Sequence, residues 1–376
     1  GTYVSAGRGV LDATLSLERL PLELANGFIP DRLFGFKGYA EGDLSVRGSL
    51  ARPDVNGEVF LDSAYIFSEP YGVEMRFAND PVSIEDSRLQ FENFEVFAHN
   101  DSPLNVKGYF DFSDMSRMLL DVRMRADNYL LVDARETGRS EAYGKAYVNF
   151  FGLMQGPVDN LRMRGRVEVL GTTDLKYNLK DSPLSTDNQL QGLVDFVDFR
   201  TSAATAPSRP PLTGLDMDLS ISIDDGAHVD CYLNADHSNY IDVVGGGDMR
   251  MQYSAADNLR LTGRYTIGSG EMKYSLPVIP LKTFTIQDGS YIEFRGDPMD
   301  PALHLTATEQ TKATVGGDAS GGRVAVFTCG VVVSQMLSNM GLEFIIDAPD
   351  DMTLHNQLQS MSKEDRAKQA VGMLTT

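Results

Sequence analysis

Cysteine and histidine are scarce in this chain, and tryptophan is missing altogether: 376 residues hold two Cys, five His and no Trp. Cys231 and Cys329 lie in apolar or alternating stretches with no C-x-x-C spacing, so both read as small buried hydrophobes and neither as a metal ligand. An oxidising compartment would allow them to pair, and sequence alone does not place their Cα atoms. The histidines (His99, His228, His237, His304, His355) are far apart without a zinc-ligand spacing, and each reads as structural. No metal or other cofactor is expected.

Long apolar runs are lacking too. No stretch of about 18 uninterrupted apolar residues is present, so no transmembrane helix is expected. No signal peptide is visible, and both ends read as cuts in a longer protein. An excess of basic residues is likewise absent, with 33 Lys and Arg against 53 Asp and Glu and a formal charge of −20. That balance excludes a nucleic-acid partner, which needs clustered cations, and disfavours lying flat on an anionic bilayer. Catalytic constellations are missing as well. Gly268, Ser269 and Gly270 read as a hairpin turn and not as a nucleophile elbow. The GGGD run from Gly245 is followed by neither lysine nor helix, so it is no phosphate loop. The pairs Asp224, Asp225 and Asp350, Asp351 read as solvated turns. The chain is not expected to be an enzyme.

What is present is alternation. Leu215, Met217, Leu219, Ile221 and Ile223 alternate strictly with polar residues. Met249, Met251 and Tyr253 do the same, as do Leu259, Leu261, Tyr265 and Ile267. The pattern continues in Phe284 and Ile286, Ile292 and Phe294, and Leu303 and Leu305. Period two puts one apolar and one wet face on each strand, and the apolar face must find a second layer or curl to shelter itself. The expected fold is all-β: an elongated, curled antiparallel sheet with an apolar-lined groove and short helices near the C-terminus. These eighteen residues are the expected groove lining. Sixteen Met and nineteen Phe suit a lining for an apolar guest of variable shape, such as phospholipid acyl chains, although an ordinary sandwich core would use the same residues.

A loose repeat of strand, Pro/Asn/Asp turn and strand is led by Gly42, Gly144 and Gly247, spaced by roughly one hundred residues. The second glycines of these units are Gly57, Gly165 and Gly263. A second echo links Ile84 with Ile286, each followed by an Asp-Ser or Asp-Gly corner. Residues 201–214 form a Pro/Ala-rich loop that divides a segment over 1–200 from one over 215–376. Residues 171–190 and 312–322 also read as loops. Ser362 and Asp365 resemble a capping box for a terminal helix, and a shorter helical turn is expected over residues 333–340.

The last third also carries a resemblance. GRYTIGSGEMKY from Gly263, PLKTFTIQDGSYI from Pro280 and FRGDPMDPAL from Phe294 are similar to the TamB C-terminal domain. LEFIIDAPDD from Leu342 and LQSMSKEDR from Leu358 are similar to it too, and the repeat pattern extends the resemblance over 36–200. The resemblance implies an AsmA-like protein of the periplasm, anchored in the inner membrane through an N-terminal segment outside this chain. It implies a lengthwise-folded sheet (a β-taco) and an Omp85-class outer-membrane barrel, TamA or its counterpart, as partner. The implied roles are phospholipid transport between the membranes, or help in the assembly and secretion of outer-membrane proteins and autotransporters.

Overall fold

The computed structural model describes residues 2–4, 10–28, 35–68, 71–138, 140, 142–178, 214–234, 236–276, 279–298, 300–316, 322–339 and 341–375. Strands account for 68% of the structure, and they form one hydrogen-bonded sheet whose described pairings are antiparallel. The all-β expectation holds. Two compact units divide the chain: residues 1–175, 201–222 and 250–260 make the first, and residues 176–200, 223–249 and 261–376 the second.

In the first unit, strands such as Gly35–Gly48, Pro53–Ser68, Leu119–Ala134 and Ala142–Pro157 are long, because turn-type residues inside them, such as Ser63 and Asn128 at positive φ, are absorbed as register shifts without ending the pairing. Tight crossings of neighbouring strands require glycine. Gly42 and Gly57 sit diagonally on paired strands. A Cβ on Gly42 would lie 2.1 Å from the Glu58 carbonyl oxygen, and one on Gly57 2.2 Å from that of Asp43. The second unit repeats this arrangement: a Cβ on Gly247 would lie 2.0 Å from the Arg264 oxygen, and one on Gly263 2.3 Å from that of Asp248. The first and third copies of the repeat are thus structurally equivalent. The middle copy is not, since Gly144 approaches Asp174 whereas Gly165 pairs with Gly152.

The second echo is also real. Ser87 is buried at one corner, where its hydroxyl donates to the Pro53 carbonyl (2.7 Å) and accepts from the Val55 N–H (2.8 Å). Ser290 is buried at the other and accepts from the Thr306 N–H at 3.1 Å.

Several expectations need correction. Gly268 to Gly270 form no turn. They lie inside the strand Asn258–Leu276, where it changes partner: residues 261–266 pair with the strand Tyr291–Gly296, and residues from 270 onward with Ile279–Ile286. The turn composition marks a place where close backbone approach is needed (a Cβ on Gly270 would meet the Asp242 oxygen at 2.5 Å). The expected loop over 312–322 is narrower, because Ala302–Val315 and Arg323–Met336 are paired strands up to Val315 and Arg323. Within 171–190, residues Asp174–Asn178 form a strand. Residues 179–190 and 201–213 lie outside the described residues. Strand structure continues to Met336 before a 3-10 turn over Leu337–Asn339, so the helical turn expected over 333–340 is confined to its second half.

The expected short helices near the C-terminus are α1 (Met352–Ser360), which the sequence pattern alone does not place, and α2 (Lys363–Leu374). Asp351 caps α1, accepting from the Thr353 and Leu354 N–H groups at 3.1 Å each. Ser362 caps α2 by accepting from the Asp365 N–H, as its motif implies.

Candidate functional site

The first unit carries register-matched rows of apolar residues on one face. One row runs Leu15, Leu44, Gly57, Ile84, Leu89, Phe110, Leu120 and Gly156, each residue opposite the next on the neighbouring strand. A second runs Phe91, Gly108, Val122, Met154 and Met163. A third runs Phe94, Val106, Met124, Gly152 and Gly165, and a fourth Val96, Leu104, Ala126, Phe150 and Val167. None of these residues is charged. The strand Leu215–Ile223 extends the third row, since Leu219 Cδ2 lies 3.2 Å from where a Cβ on Gly165 would sit.

The opposite face holds the charge. Arg123 stands opposite Leu153 and Leu153 opposite Arg164, while Arg125 and Arg166 flank Phe151. Arg164 pairs with Asp216 at 3.0 Å. Arg250 holds both carboxylate oxygens of Asp218 (2.8 and 2.5 Å), which keeps that carboxyl below the usual aspartate range. Period two therefore separates the two chemistries, as the alternation required.

This face is buried unevenly. Phe91, Phe94, Phe110, Met124, Phe150, Met154 and Met163 are half-buried, whereas Ile84, Val96, Val122 and Ala126 of the same rows are buried. Among the described residues the first unit contains no α-helix, and its buried apolar cluster is small, built on Ala98, Ala126, Tyr129, Leu130 and Val148. Phe36, Phe77, Phe94 and Phe91 follow one another with ring centroids 5.6 to 6.4 Å apart.

The second unit uses the same alternation differently. Tyr265, Ile267, Phe284, Ile286, Leu303 and Leu305 are buried in a core that also holds Cys329 and Val331. Leu354 and Leu358 of α1 and Ala370 and Leu374 of α2 close it. Ile223 and Ile292 pack against its rim. Met249, Leu261 and Phe294 are half-buried outside it. Of the expected lining residues in the first unit, Leu219 is buried. Leu215, Met217, Ile221, Met251 and Tyr253 are half-buried, and Leu259 is exposed. The structure thus sets six of the eighteen residues in a self-filled core and leaves most of the rest in part accessible.

The rows over 89–167 lay outside the eighteen residues expected from the sequence. The signal was available, since Leu161, Met163, Val167 and Val169 alternate with Arg162, Arg164, Arg166 and Glu168.

The polar groups singled out in the sequence are absorbed locally. His228 Nε2 lies 2.8 Å from Asp242 and His355 Nδ1 2.6 Å from Asp347, while His304 stacks on Tyr291. Cys231 and Cys329 are free thiols, each pushed up to about 11 by burial first and then by a neighbouring carboxylate.

Comparison with protein families gives a match to the TamB C-terminal domain over residues 92–376. The chain belongs to the TamB family. No curated protein matches it significantly. Membership makes it a TamB-like envelope protein from a family of transport and assembly proteins that works with TamA. No helix among the described residues is long and apolar enough to cross a membrane.

Proposed function

We propose that this segment conducts phospholipid through the periplasm, its acyl chains lying on the uncharged face of the first unit. The observation that supports the reading is the set of matched apolar rows whose large side chains, Phe91, Phe94, Phe110, Met124, Phe150, Met154 and Met163, are half-buried in a unit whose described residues form no α-helix. Burial supplies about 0.8 kcal/mol per methylene, so a chain of about 16 carbons would prefer the face to water by roughly 10 kcal/mol. Relative to a bilayer interior it gains almost nothing. Lipid would be held against escape into water yet released to either membrane, which suits passage and not storage.

The whole protein, on this reading, is anchored in the inner membrane and meets an Omp85-class barrel, TamA or its counterpart, at the outer one. Photo-crosslinking residues placed at Met124 and Met163 should form lipid adducts in cells, and those at Arg123 and Arg164 on the wet face should not. Equal labelling of the two faces, or no adduct from the apolar one, refutes the reading. Met124→Arg should lower lipid passage in a chain that stays folded. If passage falls while outer-membrane protein assembly continues, conduction is the primary role. The reverse outcome favours a scaffold for barrel assembly.

A further inference from the structure

An ion pair interrupts the apolar face of the second unit. Lys282 lies two residues before Phe284 and four before Ile286 on the strand Ile279–Ile286, so it shares the face of those buried side chains. Glu309 shares the face of Leu305 and Ala307 on Ala302–Val315 and stands opposite Cys329, which is wholly buried. Lys282 Nζ is 3.7 Å from Glu309 Oε1, and the two side chains are 22% and 27% exposed. The second oxygen of Glu309, Oε2, is buried and has no hydrogen-bond partner among the described residues. Both charges act on the Cys329 thiol, Glu309 raising its pKa and Lys282 lowering it, after the larger effect of burial.

The core thins along this strand without ending at the pair: Ala307, Leu305 and Cys329 are buried, and Ala313 and Val315 are half-buried, while Ala325 and Phe327 on the paired strand remain buried. Taking two opposite charges out of water generally costs about what their attraction returns, and apolar side chains of the same size serve stability as well or better. A carboxylate with one idle buried oxygen is an incomplete arrangement, and a second cation would complete it.

We propose that Lys282 and Glu309 form a headgroup station for a zwitterionic phospholipid bearing a primary ammonium. The Lys282 ammonium meets the phosphodiester, Glu309 Oε2 accepts from the headgroup ammonium, and the acyl chains run towards the half-buried Ala313 and Val315, away from the filled core. The inference rests on the conduit reading and deepens it by assigning headgroup chemistry to the second unit. A lysine alone would take any phosphate, whereas the adjacent carboxylate repels an anionic headgroup that brings no cation. A quaternary ammonium has no N–H to donate, so a primary ammonium fits better.

The purified chain is incubated with vesicles of equal phosphatidylethanolamine and phosphatidylglycerol plus a little diacylglycerol, and bound lipid is counted by native mass spectrometry. The wild type should favour the ethanolamine lipid about tenfold, the worth of one charge-assisted hydrogen bond. Glu309→Gln should abolish that preference. The double variant Lys282→Met with Glu309→Leu should bind diacylglycerol like the wild type and show no headgroup preference. Should the double variant fail to fold, Glu309→Gln decides, because it is isosteric. Equal binding of both phospholipids by the wild type, or a preference that survives Glu309→Gln, overturns the headgroup station and leaves conduction standing. Failure to bind any of the three lipids, diacylglycerol included, overturns the conduit reading itself.

Discussion

Truncating Phe284 and Phe110 to alanine, one at a time, should separate a filled interior from an uncovered face. Phe284 has no exposed surface and lies in the core closed by α1 and α2. Its removal leaves a void bounded by fixed neighbours, and substitutions of this kind cost about 3–5 kcal/mol. Phe110 sits in a row between Leu89 and Leu120, half-buried, with the Phe112 ring stacked beside it at 5.8 Å. Truncation there loses part of a transfer energy of about 1.5–3 kcal/mol and encloses no cavity, so about 1 kcal/mol is expected. The chain lacks tryptophan, so Phe151→Trp and Phe344→Trp backgrounds give separate fluorescence reporters for the two units. Urea unfolding of each background, with and without the truncation, yields both numbers even when the units melt separately. A cost at Phe110 as large as that at Phe284 would mean that the first unit's face is closed by the protein itself, and conduction would lose its route.

Two further outcomes follow from local geometry. Gly108→Val should destabilise the first unit by more than about 1 kcal/mol in urea melts, because the residue has φ +134° and a Cβ would fall 2.0 Å from the Asp121 carbonyl oxygen. A neutral result would show that the strands can part there without cost. Asp351 is held below the ordinary aspartate value of 3.8, chiefly by the Leu354 N–H bond, with Arg323 also favouring the charged form. A depressed folded pKa adds stability above the unfolded value, and that stability disappears as pH falls through the folded one. Protection of the Thr353 and Leu354 amides from hydrogen exchange should therefore weaken between about pH 5 and about pH 2, and Asp351→Asn should remove this dependence. Protection that stays constant over that range in the native chain would contradict the cap.

Strands and the wet and oily faces were legible because period two is set by backbone geometry and survives any context. Tyr265, Ile267 and Phe284 alternate just as Met163 and Val167 do, yet the former are sealed and the latter half-open. Alternation records which way a side chain points and carries no record of what lies above it. The six sealed residues were for that reason indistinguishable from lining. Helix α1 was missed because only Leu354 and Leu358 face the core, a pattern too sparse to stand out without its Asp351 cap. The run at Gly268 misled because glycine serves close strand approach as readily as a turn. Lys282, by contrast, could have been found, since it shares the parity of Phe284 and Ile286.

The matched rows also restrict how such a chain can change its length over evolution. Losing or gaining a single residue inside a strand such as Leu161–Val169 would turn Arg162, Arg164 and Arg166 onto the oily side, so length changes must fall in the corners or be absorbed by a bulge like that between Phe91 and Phe94. Reach is then adjusted by inserting whole hairpins, each widening a sheet by about 10 Å and leaving every existing rung in step.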